Sequence, residues 1–352
     1  MKINIQELKK ICETPGAPGF EEPIRSFIIE NIQSSVDDYY TDNMGNLITV
    51  KKSPDNPDKK KIMIAAHMDE IGFIVTHITK DGFLKFHTLG GFDPKTLTAQ
   101  RVIVHGKKDL IGVMGTKPIH VMSPEEQKKV PKSSEYFIDL GMKKKEVEKY
   151  IEIGNPITRE RELIEMGECV NCKSIDNRIS VYILMEILRR INNPSYDVYG
   201  VFTVQEEMGM RGANVATHMI NPDFAIAIDT TIAYDVPGAQ EHEKVTSLGN
   251  GAAIKIMDAS VICDSRMVEF LKDTATENSI SWQPEVLTVG GTDTAMMQKT
   301  GKNGAISGAI SIPTRHIHQV IEMAHKEDVK SCIDLLCKAV QNMDQWKWDY
   351  KS

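Results

Sequence analysis

Short apolar runs with no polar alternation recur along the chain at residues 61–66 (KIMIAA), 198–204 (VYGVFTV), 224–228 (FAIAI) and 252–256 (AAIKI). Runs of this kind are the pattern of strands buried on both faces, as in a parallel sheet. Between them, residues 21–31, 177–192, 265–278 and 326–343 carry apolar side chains at three- and four-residue spacing, which predicts amphipathic helices. Strands that alternate with helices predict an α/β fold, with a mostly parallel central sheet flanked by helices.

The texture changes between residues 71 and 167. Short β-like pieces (GFIVTHI, GFLKFHTL, RVIVHG, LIGVMG and YFIDLG) follow one another closely, separated by glycine or charged turns. One short helical stretch, at residues 143–150, interrupts them. This predicts a small β barrel or sandwich. The chain therefore reads as an α/β unit formed by residues 1–70 and 168–352, with a β domain at 71–167 inserted into it. A length of 352 residues accommodates two domains.

Charge narrows the function classes. The balance of 42 basic to 49 acidic residues gives −7, a surface that repels nucleic acid and anionic membranes. No stretch approaches the ~20 apolar residues a membrane span requires. The N-terminal MKINIQELKKICETPG predicts a polar amphipathic helix capped by Asn4. It lacks the apolar core of a signal peptide, so a cytoplasmic location is expected. Six cysteines in so long a chain do not make a disulfide scaffold. Cys169 and Cys172 form a CxxC, but the other close pair, Cys332 and Cys337, falls on a predicted helix. Reduced thiols are expected.

Candidate chemistry sits at the ends of the predicted strands. In open α/β sheets, ligands bind beyond the carboxyl ends of the strands. Those ends carry His67 (AAHMDEIG), Glu206 and Glu207 (TVQEEMGMRGA) and Asp229 (AIAIDT). One terminal carboxylate is commonplace, whereas three converging strand ends with metal-competent side chains are harder to dismiss. Asp176 (SIDNRIS) precedes a helix, where an aspartate ordinarily caps. His318 (PTRHIHQV) follows an apolar extended run, where a histidine is ordinarily a surface residue. The adjacent Glu206 and Glu207 are more telling. Neighbouring side chains on extended backbone point in opposite directions. One carboxylate can then bind a metal while the other faces a water on it and accepts its proton.

Taken in order, seven segments resemble the tetrahedral (TET) family of dinuclear metallo-aminopeptidases, which includes glutamyl and deblocking aminopeptidases. They are TPGAPGFEE (14–22), AHMDEIGF (66–73), SIDNR (174–178), TVQEEMGMRGA (203–213), AIDT (227–230), GGTDT (290–294) and IPTRHIH (312–318). The resemblance implies two divalent metal ions per subunit, with zinc or cobalt expected from the mixed histidine and carboxylate donors. It implies that Asp176 bridges the ions, that His67 and Asp229 complete one site and that Glu207 and His318 complete the other. Glu206 would be the general base, and Asp69 would hydrogen-bond His67 and fix its tautomer. In related enzymes the peptide after the bridging aspartate is cis, here Asp176–Asn177. The inserted domain resembles the family's dimerisation domain, and family members often form dimers that assemble into dodecamers. The implied substrate is a peptide that loses its N-terminal residue. The chain departs from the family where Asn177 replaces a second aspartate, where His316 replaces a tyrosine and where Gln319 stands in place of a common serine.

Two other activities are compatible with parts of this pattern. An endoglucanase-like glycoside hydrolase needs carboxylates on opposite sides of a sugar, ~5–9.5 Å apart, which consecutive glutamates do not obviously supply. A metal-dependent carboxypeptidase or deacylase would share the metal ligands, but the β-rich insert favours the aminopeptidases.

Overall fold

The computed structural model describes residues 3–350. The predicted α/β pattern forms an eleven-stranded sheet. Its middle is the parallel run Asp197–Thr203, Lys61–His67, Phe224–Ile232 and Ile306–Arg315, in that spatial order. Antiparallel strands extend it on both sides, Leu47–Lys51 and Asp38–Thr41 on one and Glu322–His325, Cys169–Cys172 and Ile164–Met166 on the other.

The apolar runs are continuous because both faces are covered. Along Lys61–His67, Ile62, Ile64 and Ala66 enter the larger core, while Met63 and Ala65 enter a second cluster with Ala216, Ile220 and Met297. This is the two-residue alternation of a strand with helices above and below it. The helix Ile175–Arg190 is buried almost throughout, packed against the N-terminal helix Ile5–Glu13, the helix Lys326–Asn342 and the sheet. A helix enclosed on all sides needs apolar residues around its circumference, and this one has them from Ile179 to Leu188. The N-terminal helix is capped as expected, with Asn4 accepting from the Glu7 N–H at 3.2 Å.

One expectation needs correction. The run at 252–256 does form a buried strand, Ala252–Met257, but it pairs antiparallel with Ile306–Arg315 and parallel only with the peripheral Trp282–Val286. Burial on both faces makes a run apolar whatever its direction, so the pattern could not distinguish the two.

The β-like pieces close into a six-stranded barrel of Gly72–Ile78, Leu84–Leu89, Phe137–Asp139, Asp109–Gly115, Arg101–His105 and Pro156–Arg159. Every pairing in it is antiparallel, and it has its own core around Phe73, Val102, Val104, Ile138 and Ile157. Closure removes the exposed edges such short strands would otherwise present. A second short helix, Pro124–Gln127, accompanies the predicted one, seen at Lys144–Val147. The six cysteines are free thiols. Among the described residues no helix is long and apolar enough to cross a membrane.

Candidate metal centre

The parallel strands deliver side chains to one edge of the sheet. His67 is the last residue of its strand and Asp229 lies near the end of the neighbouring one. Glu206 and Glu207 follow Thr203, but on a turn and not on extended backbone. Gln205, just before them, is in the left-handed region at φ 53°. His318, at φ 64°, lies on the loop after Ile306–Arg315. Asp176 lies in a non-helical break at the start of Ile175–Arg190. The Asp176–Asn177 peptide is cis, as expected.

Two groups of three residues that could hold a metal ion result, each with its donor atoms within 4.8 Å of one another: His67, Asp176 and Asp229, and Asp176, Glu207 and His318. Asp176 belongs to both. Its Oδ1 lies 3.3 Å from His67 Nε2, and its Oδ2 lies 3.3 Å from His318 Nε2. His67 Nε2 is 3.6 Å from Asp229 Oδ1, and His318 Nε2 is 3.5 Å from Glu207 Oε1. Glu206 stays outside both groups, its Oε2 4.0 Å from His67 Nε2. The two glutamates thus face different histidines.

Asp69 is fully buried, and its two carboxylate oxygens accept the Glu206 and Glu207 N–H groups at 3.1 Å each. His67 Nδ1 meets the Asp69 backbone carbonyl at 3.2 Å and its carboxylate at 3.4 Å. One residue therefore orients His67 and also pins the turn that carries both glutamates. The sequence reading found only the first of these tasks, because the second depends on how two distant segments meet.

The electrostatics favour a cation. Burial raises Glu206 well above the usual carboxylate range against the pull of His67, with Asp229 and Asp293 adding to the rise. Burial likewise raises Glu207 and Asp293 to about 7. Asp176 is held far below its ordinary value despite its burial, by hydrogen bonds from His318 and His67. Carboxylates crowded together out of water oppose one another's ionisation, and a bound cation relieves that opposition. The oxygen and imidazole donors are those divalent ions take, so these residues fit the metal chemistry.

A cavity of about 650 Å³ opens from this centre. His67, Glu206 and Glu207 line one end, and Tyr234, Lys255, Leu287, Val289 and His316 line parts of the remainder. The barrel borders the centre as well: a Cβ added at Gly91 would come within 3.3 Å of His318 Nδ1, and one at Gly90 within 3.2 Å of Glu207 Oε2. Asp293, in the GGTDT segment, had no assigned role. It accepts from Thr203 Oγ1 at 2.5 Å, and its charge adds to the rise of Glu206. Glu322 was missed entirely, since nothing in QVIEMAH separates it from a surface glutamate.

Comparisons with known proteins show the family. A family model described as M42 glutamyl aminopeptidase matches residues 45–335. A lysyl aminopeptidase of Pyrococcus furiosus is 32% identical over 344 residues, covering 95% of each chain. The solved structure of an aminopeptidase from the archaeon Desulfurococcus kamchatkensis is 38% identical, with a TM-score of 0.92 over 96% of this chain and 94% of that one. A TET1 peptidase of Pyrococcus horikoshii, described as assembling into a tetrahedron or a large octahedral shell, is 31% identical, with a TM-score of 0.85 over 96% of this chain and 98% of the other. With the family model spanning most of its length and such relatives matched nearly end to end, the chain belongs to the M42 glutamyl aminopeptidase family.

Proposed function

We propose that this metal-dependent aminopeptidase works with two ions per subunit, one held by His67, Asp176 and Asp229 and the other by Asp176, Glu207 and His318. The observation that carries this is the orientation of Asp176, whose two carboxylate oxygens each face a different histidine at 3.3 Å. Zinc or cobalt suits the mixed nitrogen and oxygen donors. Bound there, such ions would acidify a water, polarise the scissile carbonyl and accept the free amine of a peptide.

Glu206 is the general base. It stands beside the ligand groups without belonging to either, and burial raises the proton affinity of its carboxylate, as a base that takes a proton from a water requires. It then returns that proton to the leaving amine. Asp69 holds the Glu206 backbone in place and orients His67. The cavity beyond Glu206 receives the N-terminal residue of the peptide. Hydrolysis of aminoacyl arylamides should vanish after chelation and return on adding zinc or cobalt. Turnover that survives complete metal removal contradicts the reading.

The same proposal divides the chain at 1–70, 71–167 and 168–352 and assigns self-assembly to the inserted unit, as a dimer or as dimers gathered into a dodecamer. Its barrel exposes Ile111, Val113, Ile119 and Val121, with Ile111 63% and Val121 64% accessible. Exposed apolar side chains that gather into a patch mark interaction surfaces. The P. horikoshii relative is described as assembling into a tetrahedron or a large octahedral shell. Light scattering at micromolar concentration should find an oligomer, and a monomer would refute the assignment. Peptides are the expected partners, in the cytoplasm, without nucleic acid or membrane.

A further inference from the structure

We infer that Arg159 and Glu322 are positioning residues that set the His318 metal site, and that through them the inserted barrel supports that site. This rests on the reading of Asp176 and His318 as ligands.

Glu322 begins the strand Glu322–His325 and is fully buried. One oxygen, Oε2, accepts the Asp176 N–H at 2.9 Å, and the other, Oε1, accepts the His318 N–H at 2.9 Å. Asp176 and His318 are far apart in sequence, and both belong to the Asp176, Glu207 and His318 group. A single rigid carboxylate therefore fixes the spacing between two of that group's three members. The need for an anchor is plain at His318. Its φ of 64° is a left-handed conformation that a histidine adopts only when its surroundings enforce it. His316, at φ 60°, is in the same region, so the loop has little local preference for the shape it holds.

A carboxylate without access to water needs a counter-charge. Arg159 supplies it. Its Nη2 lies 3.9 Å from Glu322 Oε1, and the residue is only 3% exposed. Arg159 ends the barrel strand Pro156–Arg159, paired there with Val102. Among the described residues, its Nε, Nη1 and Nη2 have no hydrogen-bond partner. A guanidinium ordinarily satisfies several donors. One that is buried and makes none within the fold is kept for its charge, and the carboxylate that holds Asp176 and His318 is beside it. Phe92, also of the inserted unit, lies with its ring centroid 5.9 Å from the guanidinium carbon.

The test is Co²⁺ titration of the metal-free, full-length oligomer, followed by calorimetry and by the visible spectrum of the bound ion. His318→Ala first identifies which Co²⁺ equivalent depends on that ligand. Arg159→Met, which keeps the stem and removes the charge, should weaken that same equivalent by ~10–100-fold, as loss of outer partners of metal ligands commonly does. It should also shift the spectrum of that equivalent, and Arg159→Lys should recover part of the affinity. Unchanged binding in Arg159→Met, while His318→Ala still loses an equivalent, overturns the inference and leaves the ligand reading intact. If His318→Ala loses none, the ligand reading fails and takes the inference with it. Should Arg159→Met not fold, Glu322→Gln serves the same purpose: a weakened His318-dependent equivalent supports the inference, and an unaffected one overturns it.

Discussion

Glu206→Gln is expected to lower turnover of peptide substrates by ~10²–10⁴-fold, the range for loss of a positioned general base, with metal content unchanged. Glutamine is nearly isosteric, and its backbone N–H still donates to Asp69. What disappears is a carboxylate able to accept a proton beside His67. Glu207→Gln should behave differently. Its oxygen sits within the group shared with Asp176 and His318, so a neutral amide there should lower occupancy of one metal, and excess metal should partly restore activity. The two variants need elemental analysis and steady-state kinetics on the same preparations, with a melting temperature to exclude misfolding. Exchanged behaviours would reverse the roles of the two glutamates. Full activity in both would remove the catalytic reading of this turn.

Asp176→Asn should have the largest effect, because one side chain serves both ligand groups. The substitution removes the only carboxylate common to the two and leaves His67 and His318 facing an amide in place of an anion. Catalytic metals stabilise developing charge by several kcal/mol, and each 1.36 kcal/mol is about tenfold in rate. Activity is therefore expected to fall by more than ~10⁴-fold. Both metals should bind more weakly, in contrast to the single equivalent lost in Glu207→Gln. Equilibrium dialysis against zinc reads this directly. Retention of both ions at wild-type affinity would show that Asp176 does not bridge them.

Much of the architecture is legible in local pattern. The helices at 265–278 and 326–343 appear as Ser265–Glu277 and Lys326–Asn342, because each has one buried and one exposed face and so carries the helical period. The barrel is visible because its strands are short and bounded by turns. Flanking strands such as Leu47–Lys51 and Cys169–Cys172 are not legible in this way, being only five and four residues long.

The chemistry divides along a similar line. His67, Glu206, Glu207 and Asp229 were accessible from residue order alone, since a parallel sheet aligns its carboxyl ends and any polar residue just past an apolar run arrives at the same edge. Asp176 and His318 needed the resemblance, because each taken alone looks like a helix cap or a surface histidine. Nothing local marked Glu322, Arg159 or the second task of Asp69. Their roles consist of hydrogen bonds and charge contacts between segments far apart in the chain: Asp69 with the turn at 206–207, Glu322 with Asp176, and Arg159 with Glu322. By itself the sequence determined the α/β frame, the barrel and the strand-end donors, because burial and periodicity are written into neighbouring residues. Tertiary structure alone decided strand direction at Ala252–Met257, which histidine each of Glu206 and Glu207 faces, and which buried charges stand beside the proposed ligands, because each depends on distances between residues that chain order does not constrain.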